Sequence, residues 1–371
     1  MRYISDISSK IYTMRCKNNQ YSLFSFFLVI GFIFINSNTR AQVKTLLALS
    51  KGDHVLAIID PITLKTKTRI PVGDDPHEVI ASSDGKSAFV SNSYGSNPHE
   101  IDMIDLVSQK RLKDINIQPL SAPHGLDFAD GKLWFSAEGA SAVGRYNNAT
   151  HEVDWSMGTG QDRTHMIYVS ADAKKIFTTN VNAGTVSILV DTLVKPRFGP
   201  PPPQKGQTAQ SFPPPAFQPK IQHQWLQTVV HVGKGSEGFD VTPNGKELWT
   251  AAADDGTIWI VDLINKKTIK SPSIKAIGAN RLKFTPDGKL ALVSSLRTGD
   301  LYIIDAESRQ LIKQLKLGKG CAGILPDNDN KIVYVACSAD NYIAVIDLQK
   351  MQVINKIELA GPDGLAWAIL Q

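Results

Sequence analysis

The chain has 371 residues, a formal net charge of +5 and 42% hydrophobic residues, enough apolar content for one large β architecture or two to three smaller domains. Most of the positive excess sits in the first 41 residues, where Arg2, Lys10, Arg15, Lys17 and Arg40 face only Asp6, so the remainder carries +1. With no basic stripe, the electrostatic footprint of a nucleic-acid binder is missing, and no nucleic-acid partner is expected.

The N-terminal segment reads as a leader. A short basic region, "MRCKNNQ", begins at Met14. It is followed by the 14-residue apolar run "SLFSFFLVIGFIFI" (22–35) and by "NSNTRAQ", with the small Ala41 before Gln42. This is the three-part layout of a secretory signal, and the run falls short of the roughly 20 residues a membrane-crossing helix needs. Residues 1–41 are therefore expected to be a signal peptide, with Met14 as an alternative start. The mature chain, 42–371, is expected to be exported to the periplasm or beyond, with no stable membrane span.

From residue 43 onward a β-rich tag ending in Asp or Asn recurs at Asp60, Asp105, Asn147, Asp191, Asp262, Asp305 and Asp347, in steps of 45, 42, 44, 71, 43 and 42 residues. Each repeat reads as four short strands. A first strand such as "EGFDVTPNG" runs into an Asp-Gly or Asn-Gly hairpin turn. A second strand such as "ALVSS", a third such as "YIID" and a fourth ending in "IPVG" or "LKLGK" follow. Four strands every 40–45 residues predict an all-β, seven-bladed β-propeller of four-stranded antiparallel blades. The last blade is expected to be closed by both chain ends. Its first strand comes from "PDGLAWAILQ", and its next strands from "VKTLLALSKGDHVLAIID", which removes the open edges at the seam. The chain is expected to be a monomer.

"FVSNSYGS", "FTTNVNAGTVSILVD" and "VYVACSADNYIAVID", each followed by a "VG…P…DGK" stretch, resemble the YVTN-repeat β-propeller family. That family is similar in turn to lactonase propellers, the nitrous oxide reductase N-terminal propeller and quinoprotein dehydrogenase propellers. The resemblance covers 43–371. It implies a fold and leaves the activity open, because this fold carries many activities.

The long step holds a Pro- and Gln-rich insertion, "KPRFGPPPPQKGQTAQSFPPPAFQPK" (195–220), between strands three and four of the third blade. Its composition suits polyproline or disordered chain. It is either a tolerated loop extension or a docking segment for a protein partner or cell-wall material.

The repeat allows blades to be compared with one another. Seven residues before the turn residue Asp84 stands His77, and the same slot, at the start of each innermost strand, gives His124, His165, Glu237, Asn280, Ala322 and Asp363. A second set, six residues after the turn Lys, includes Asn92, Glu138 and Asn180. Residue 77 is expected to pair with 92, and both sets are expected to converge on one mouth of the central channel. The candidate ligand-binding residues are thus His77, Asn92, His124, Glu138, His165, Asn180, Glu237, Asn280 and Asp363.

Imidazole and carboxylate donors on one mouth suit a Zn, Cu or Fe ion, with His77, His124, His165 and Glu237 as its ligands. The oxygen-donor half, Glu237, Asn280 and Asp363, suits Ca or Mg. It looks like the Glu/Asn/Asp channel site of metal-dependent lactonase propellers, where the ion polarises a lactone carbonyl. The cofactor expected is one divalent ion.

Cys321 and Cys337 flank a predicted hairpin turn near Asp329-Asn330 and are either a disulfide or two buried thiols. No G-x-S-x-G, C-x-x-C-H, P-loop or H-E-x-x-H motif occurs. Three functions remain open: a binding protein presenting a polar, His-rich channel mouth to a small molecule, metal or partner; a metal-dependent lactonase-type hydrolase; and an interaction scaffold using the insertion.

Overall fold

The computed structural model describes residues 43–194, 220–269 and 272–370. The proposed leader and nearly all of the Pro-rich insertion lie outside the described residues. Among the described residues no helix is long and apolar enough to cross a membrane.

Seven antiparallel sheets form seven blades. Counting from the first histidine, the innermost strands are Pro76–Ala81, Pro123–Ala129, Thr164–Val169, Ser236–Val241, Ala279–Phe284, Ile324–Pro326 and Pro362–Leu370. The seventh blade is made by both ends of the chain. Pro362–Leu370 pairs with Val43–Ser50, aligning Leu370 with Val43 and Ala366 with Leu47, and Val55–Ile59 and Thr66–Pro71 complete the sheet.

The recurring Asp or Asn is explained by local hydrogen bonding. Asp60, Asp105, Asn147, Asp262, Asp305 and Asp347 each accept a backbone N–H two or three residues onward, at 2.7–3.0 Å. These are Asx turns that reverse the chain between the third and fourth strands. Asp191 departs from the pattern. Its strand runs on as Thr185–Val194, paired over ten residues with Gln222–His231, so the insertion is carried on a lengthened hairpin. At the inner hairpins, Gly85, Gly245 and Gly288 hold φ near +70°, a conformation that glycine reaches without a Cβ penalty.

Apolar faces of neighbouring sheets interleave. Leu47, Leu56 and Ile58 of the seventh blade pack with Val79, Ala88 and Val90 of the first, and equivalent clusters fill the other inter-blade spaces. Near the axis the inner strands approach very closely. A Cβ on Gly238 would lie 2.5 Å from Arg281 Cα, and one on Gly125 would lie 2.7 Å from Ile167 N. Any larger residue there would force neighbouring blades apart.

Candidate functional site

A hydroxyl on the second strand of one blade anchors the slot residue of the next. Ser91 donates to His124 O (2.7 Å), Thr179 to Glu237 O (2.6 Å) and Ser294 to Ala322 O (2.5 Å), and Ser136 donates to His165 O. These bonds fix where each slot side chain starts.

The slot side chains do line one mouth of the channel. His77, His124, His165, Glu237, Asn280, Ala322 and Asp363 border a cavity of about 290 Å³. The three imidazoles stand in a row, with ring centroids 4.9 Å apart for His77 and His124 and 3.8 Å apart for His124 and His165.

The second set divides. Glu138 joins the histidines: its Oε1 accepts from His165 Nδ1, and its Oε2 accepts from Tyr94 Oη. Asn180 turns into its own blade, bonding Thr164, Thr185 and Ser187 at 3.0 Å. Asn92 lies beside Gly73 and Asp102 in a separate recess. The expected pairing of 77 with 92 is corrected by one residue. Pro76 faces Asn92, and a bulge between Pro76 and Val79 shifts the register, lifting His77 out of the ladder and toward the channel.

Atoms from His124, Glu138 and His165 lie within 4.8 Å of one another in a geometry able to hold a metal ion. Glu237, expected as the carboxylate ligand, instead accepts from Asn280 Nδ2 at 2.6 Å and lies 3.9 Å from Arg163. In the Glu237, Asn280 and Asp363 arc, a guanidinium is already present: Arg281 Nη1 donates to Asn280 Oδ1 at 3.1 Å.

Electrostatics separate these groups. Burial, reinforced by the neighbouring His165 and His77, holds His124 well below the ordinary imidazole range, so it stands neutral with a free lone pair. Burial opposes ionisation of Glu138, but hydrogen bonds from His165 and Tyr94 and the charge of Arg163 outweigh it and hold the carboxyl low. Asp363 is likewise kept ionised against burial by His77, Arg281 and Lys51. Burial and the bond to Glu138 push the Tyr94 phenol up to about 12, so it remains a donor.

Two imidazole nitrogens, His124 Nδ1 and His165 Nε2, are buried and have no hydrogen-bond partner. Such orphans are costly in a folded interior. Around them three cations, Lys51, Arg163 and Arg281, face five carboxylates, Asp75, Glu78, Glu138, Glu237 and Asp363. These carboxylates outnumber the Lys and Arg cations by two.

Several of these residues escaped the sequence reading. Arg163 stands two positions before its slot, where four other blades carry Gly235, Gly278, Gly320 and Gly361; a bulky cation in a glycine column was the available signal. Glu78 and Arg281 were similarly marked as the two charged residues one position after the slot, a column otherwise of Gly and Met. Asp75, two positions before His77, breaks the same glycine column as Arg163 and offered the same signal, whereas Lys51 and Tyr94 come from loops outside these columns.

No protein-family model matches the chain, and no curated protein matches it. Solved structures do. A candidate 6-phosphogluconolactonase of Bacteroides uniformis superimposes with a TM-score of 0.64 at 13% identity, over 88% of this chain and 99% of that one. A second, from Bacteroides fragilis, gives 0.64 at 14% identity over 89% and 99%. The hydrazine synthase of Kuenenia stuttgartiensis gives 0.61 at 14% over 79% and 90%. At these identities the likeness is one of fold: the chain is a seven-bladed β-propeller with 6-phosphogluconolactonase-like and related propellers among its structural neighbours.

Proposed function

We propose that this is an exported binding protein of YVTN-repeat type. Its channel mouth holds a divalent transition-metal ion on His124, His165 and Glu138 and presents it, beside His77, Lys51 and Arg163, to a small ligand. The observation that carries this reading is the pair of buried, unpartnered nitrogens, His124 Nδ1 and His165 Nε2, next to the Glu138 carboxylate. Nitrogen-rich donors favour Zn, Cu or Fe over Ca or Mg, and a doubly charged ion offsets the two excess carboxylates.

The test is elemental analysis of protein purified without a nickel column. Near-stoichiometric metal, lost in His124→Ala and His165→Ala, supports the reading. Metal lost only in Glu237→Gln or Asp363→Asn would move the ion to the oxygen-donor arc, and absence of metal after reloading with Zn, Cu and Fe would refute it.

A second reading, metal-dependent lactone hydrolysis, is favoured by the lactonase-like neighbours. A bound ion would supply Lewis acidity toward a carbonyl oxygen. In this chain Arg163 and Lys51 would orient an anionic substrate, and His77, paired with Asp75 at 3.0 Å, would move the proton. A lactone panel with and without the ion separates the readings, and turnover by the loaded protein, abolished by His77→Ala, favours the enzyme.

A further inference from the structure

The channel has a second cavity, of about 450 Å³, reached from the other end. It is distinct from the histidine site: Arg281, paired with Glu78, lies between the two and borders both. Its wall is built by the same repeat. Three residues beyond the histidine slot, every blade contributes one lining residue: Ile80, Asp127, Tyr168, Asp240, Lys283, Leu325 and Ala366.

This second ring is two-sided. Blades two to five give Asp127, Tyr168, Asp240 and Lys283, while blades six, seven and one give Leu325, Ala366 and Ile80, extended by Trp367. The carboxylates are held rigidly. Asp127 Oδ2 accepts Val169 N–H of the next blade at 2.6 Å, and its Oδ1 accepts Phe128 N–H at 2.8 Å. Asp240 Oδ2 accepts Phe284 N–H of its next blade at 2.9 Å, and its Oδ1 accepts Val241 N–H at 3.0 Å. Each carboxylate oxygen has lone pairs beyond these bonds.

Charge is not balanced within the ring. Lys283 is its cation and leans to Asp240, with Nζ 4.0 Å from Oδ1 and the side chain 40% exposed. Asp127 has no cationic side chain within salt-bridge distance among the described residues. With Glu78 and Arg281 cancelling each other, the ring carries one uncompensated negative charge opposite an apolar wall. Mostly apolar lining with a few convergent polar groups is the general character of small-molecule sites.

We propose that this cavity binds a small monovalent organic cation, a primary ammonium on an apolar body. The ammonium sits between Asp127 and Asp240, and the body lies against Leu325, Ala366 and Trp367. The histidine mouth plays no part in this binding.

Hexylammonium, hexanol and hexanoate titrated into the full mature protein, followed by Trp fluorescence and calorimetry, provide the test. Hexylammonium should bind with one-to-one stoichiometry, hexanol at least about tenfold more weakly, and hexanoate not detectably. Asp127→Asn should weaken hexylammonium about tenfold. Lys283→Gln, at an exposed position, should strengthen it severalfold by removing the internal competitor for Asp240. His124→Ala should leave it unchanged. Equal affinity for hexanol and hexylammonium, no saturable binding below about 10 mM, or weaker binding by Lys283→Gln would each overturn the proposal. Because Asp127 also ties two blades together, the Lys283→Gln arm stands even if Asp127→Asn folds poorly.

Discussion

Glu78 and Arg281 lie 203 residues apart in the chain and meet across the central channel, with Arg281 Nη2 donating to Glu78 Oε1 and the Arg281 side chain only 6% exposed. This pair joins the inner strands of the first and fifth blades and partitions the channel into two cavities. Burial opposes the charge on Arg281, but Glu78, Asp363 and Glu237 together raise its pKa and keep it protonated. Removing one partner strands the other in a desolvated site. Arg281→Met or Glu78→Met should each cost about 3–5 kcal/mol of unfolding free energy in chemical denaturation. The double variant should recover most of that loss, since the uncompensated charge is gone. Additive losses in the double variant would mean that the two charges are solvated independently.

Arg163 illustrates a residue held in place against local preference. Its φ is +58°, in a column where Gly235, Gly278 and Gly361 hold +75°, +70° and +51°. A left-handed backbone costs a residue with a Cβ about 1 kcal/mol. Arg163→Gly should therefore be more stable than Arg163→Ala by about 1 kcal/mol in thermal or denaturant unfolding. Both variants remove the cation 3.4 Å from Glu138 Oε1, so both should bind zinc more tightly than the parent in a chelator competition. Unchanged zinc affinity would show that the guanidinium charge does not reach the histidine cluster.

The seven-blade architecture was legible because each of its devices is local and repeated: an Asx turn at every tag, a glycine turn in the inner hairpins, and complementary half-blades at the two ends. The histidine row was legible for the same reason, since equivalent slots in a closed ring must converge. What stayed hidden depends on side-chain direction. Asn92 and Asn180 occupy the column of Glu138, yet the first sits beside Gly73 and the second is drawn into a Thr/Ser network within its blade. Glu138 reaches inward because Tyr94, Arg163 and His165 receive it. Glu237 was favoured as a ligand by its slot, but Asn280 takes its carboxylate first. The one-residue error at His77 came from a bulge, which a strict pairing count cannot represent.

Asp127 gives the protein a pH-dependent stability of defined sign. Burial pushes its carboxyl from the ordinary 3.8 up to about 6, against the lowering effect of the Val169 and Phe128 N–H groups; the charged or titratable groups facing it are Lys283, Asp240 and Tyr168. Between those two values the folded state holds a proton that the unfolded state has released. Stability from this group is therefore full below about pH 4 and is lost as pH rises through about 6. The loss should be about 2 kcal/mol, because the cavity reaches solvent and softens the burial penalty. Asp127→Asn cannot titrate, so the stability difference between parent and variant should shift by that amount between pH 4 and pH 7 in denaturant titrations. Parallel curves would show a fully hydrated carboxylate.

Cys321 and Cys337 are both buried, and their sulfurs lie 3.1 Å apart as free thiols. Sequence spacing left open whether they join, and their juxtaposition makes oxidation feasible without moving a blade. If the chain is exported as proposed, an oxidising compartment would favour the disulfide. With glutathione disulfide as oxidant, the two thiols give up two protons and two electrons, one S–S bond forms, and two glutathione thiols are released. Intact mass should fall by two hydrogens, and thiol titration under denaturing conditions should drop from two groups to none. The bond closes a short loop, so the oxidised protein should gain about 2–3 kcal/mol over Cys321→Ser in denaturant unfolding. Persistence of two titratable thiols after prolonged exposure to the oxidant would make the pair a purely apolar contact of the sixth blade.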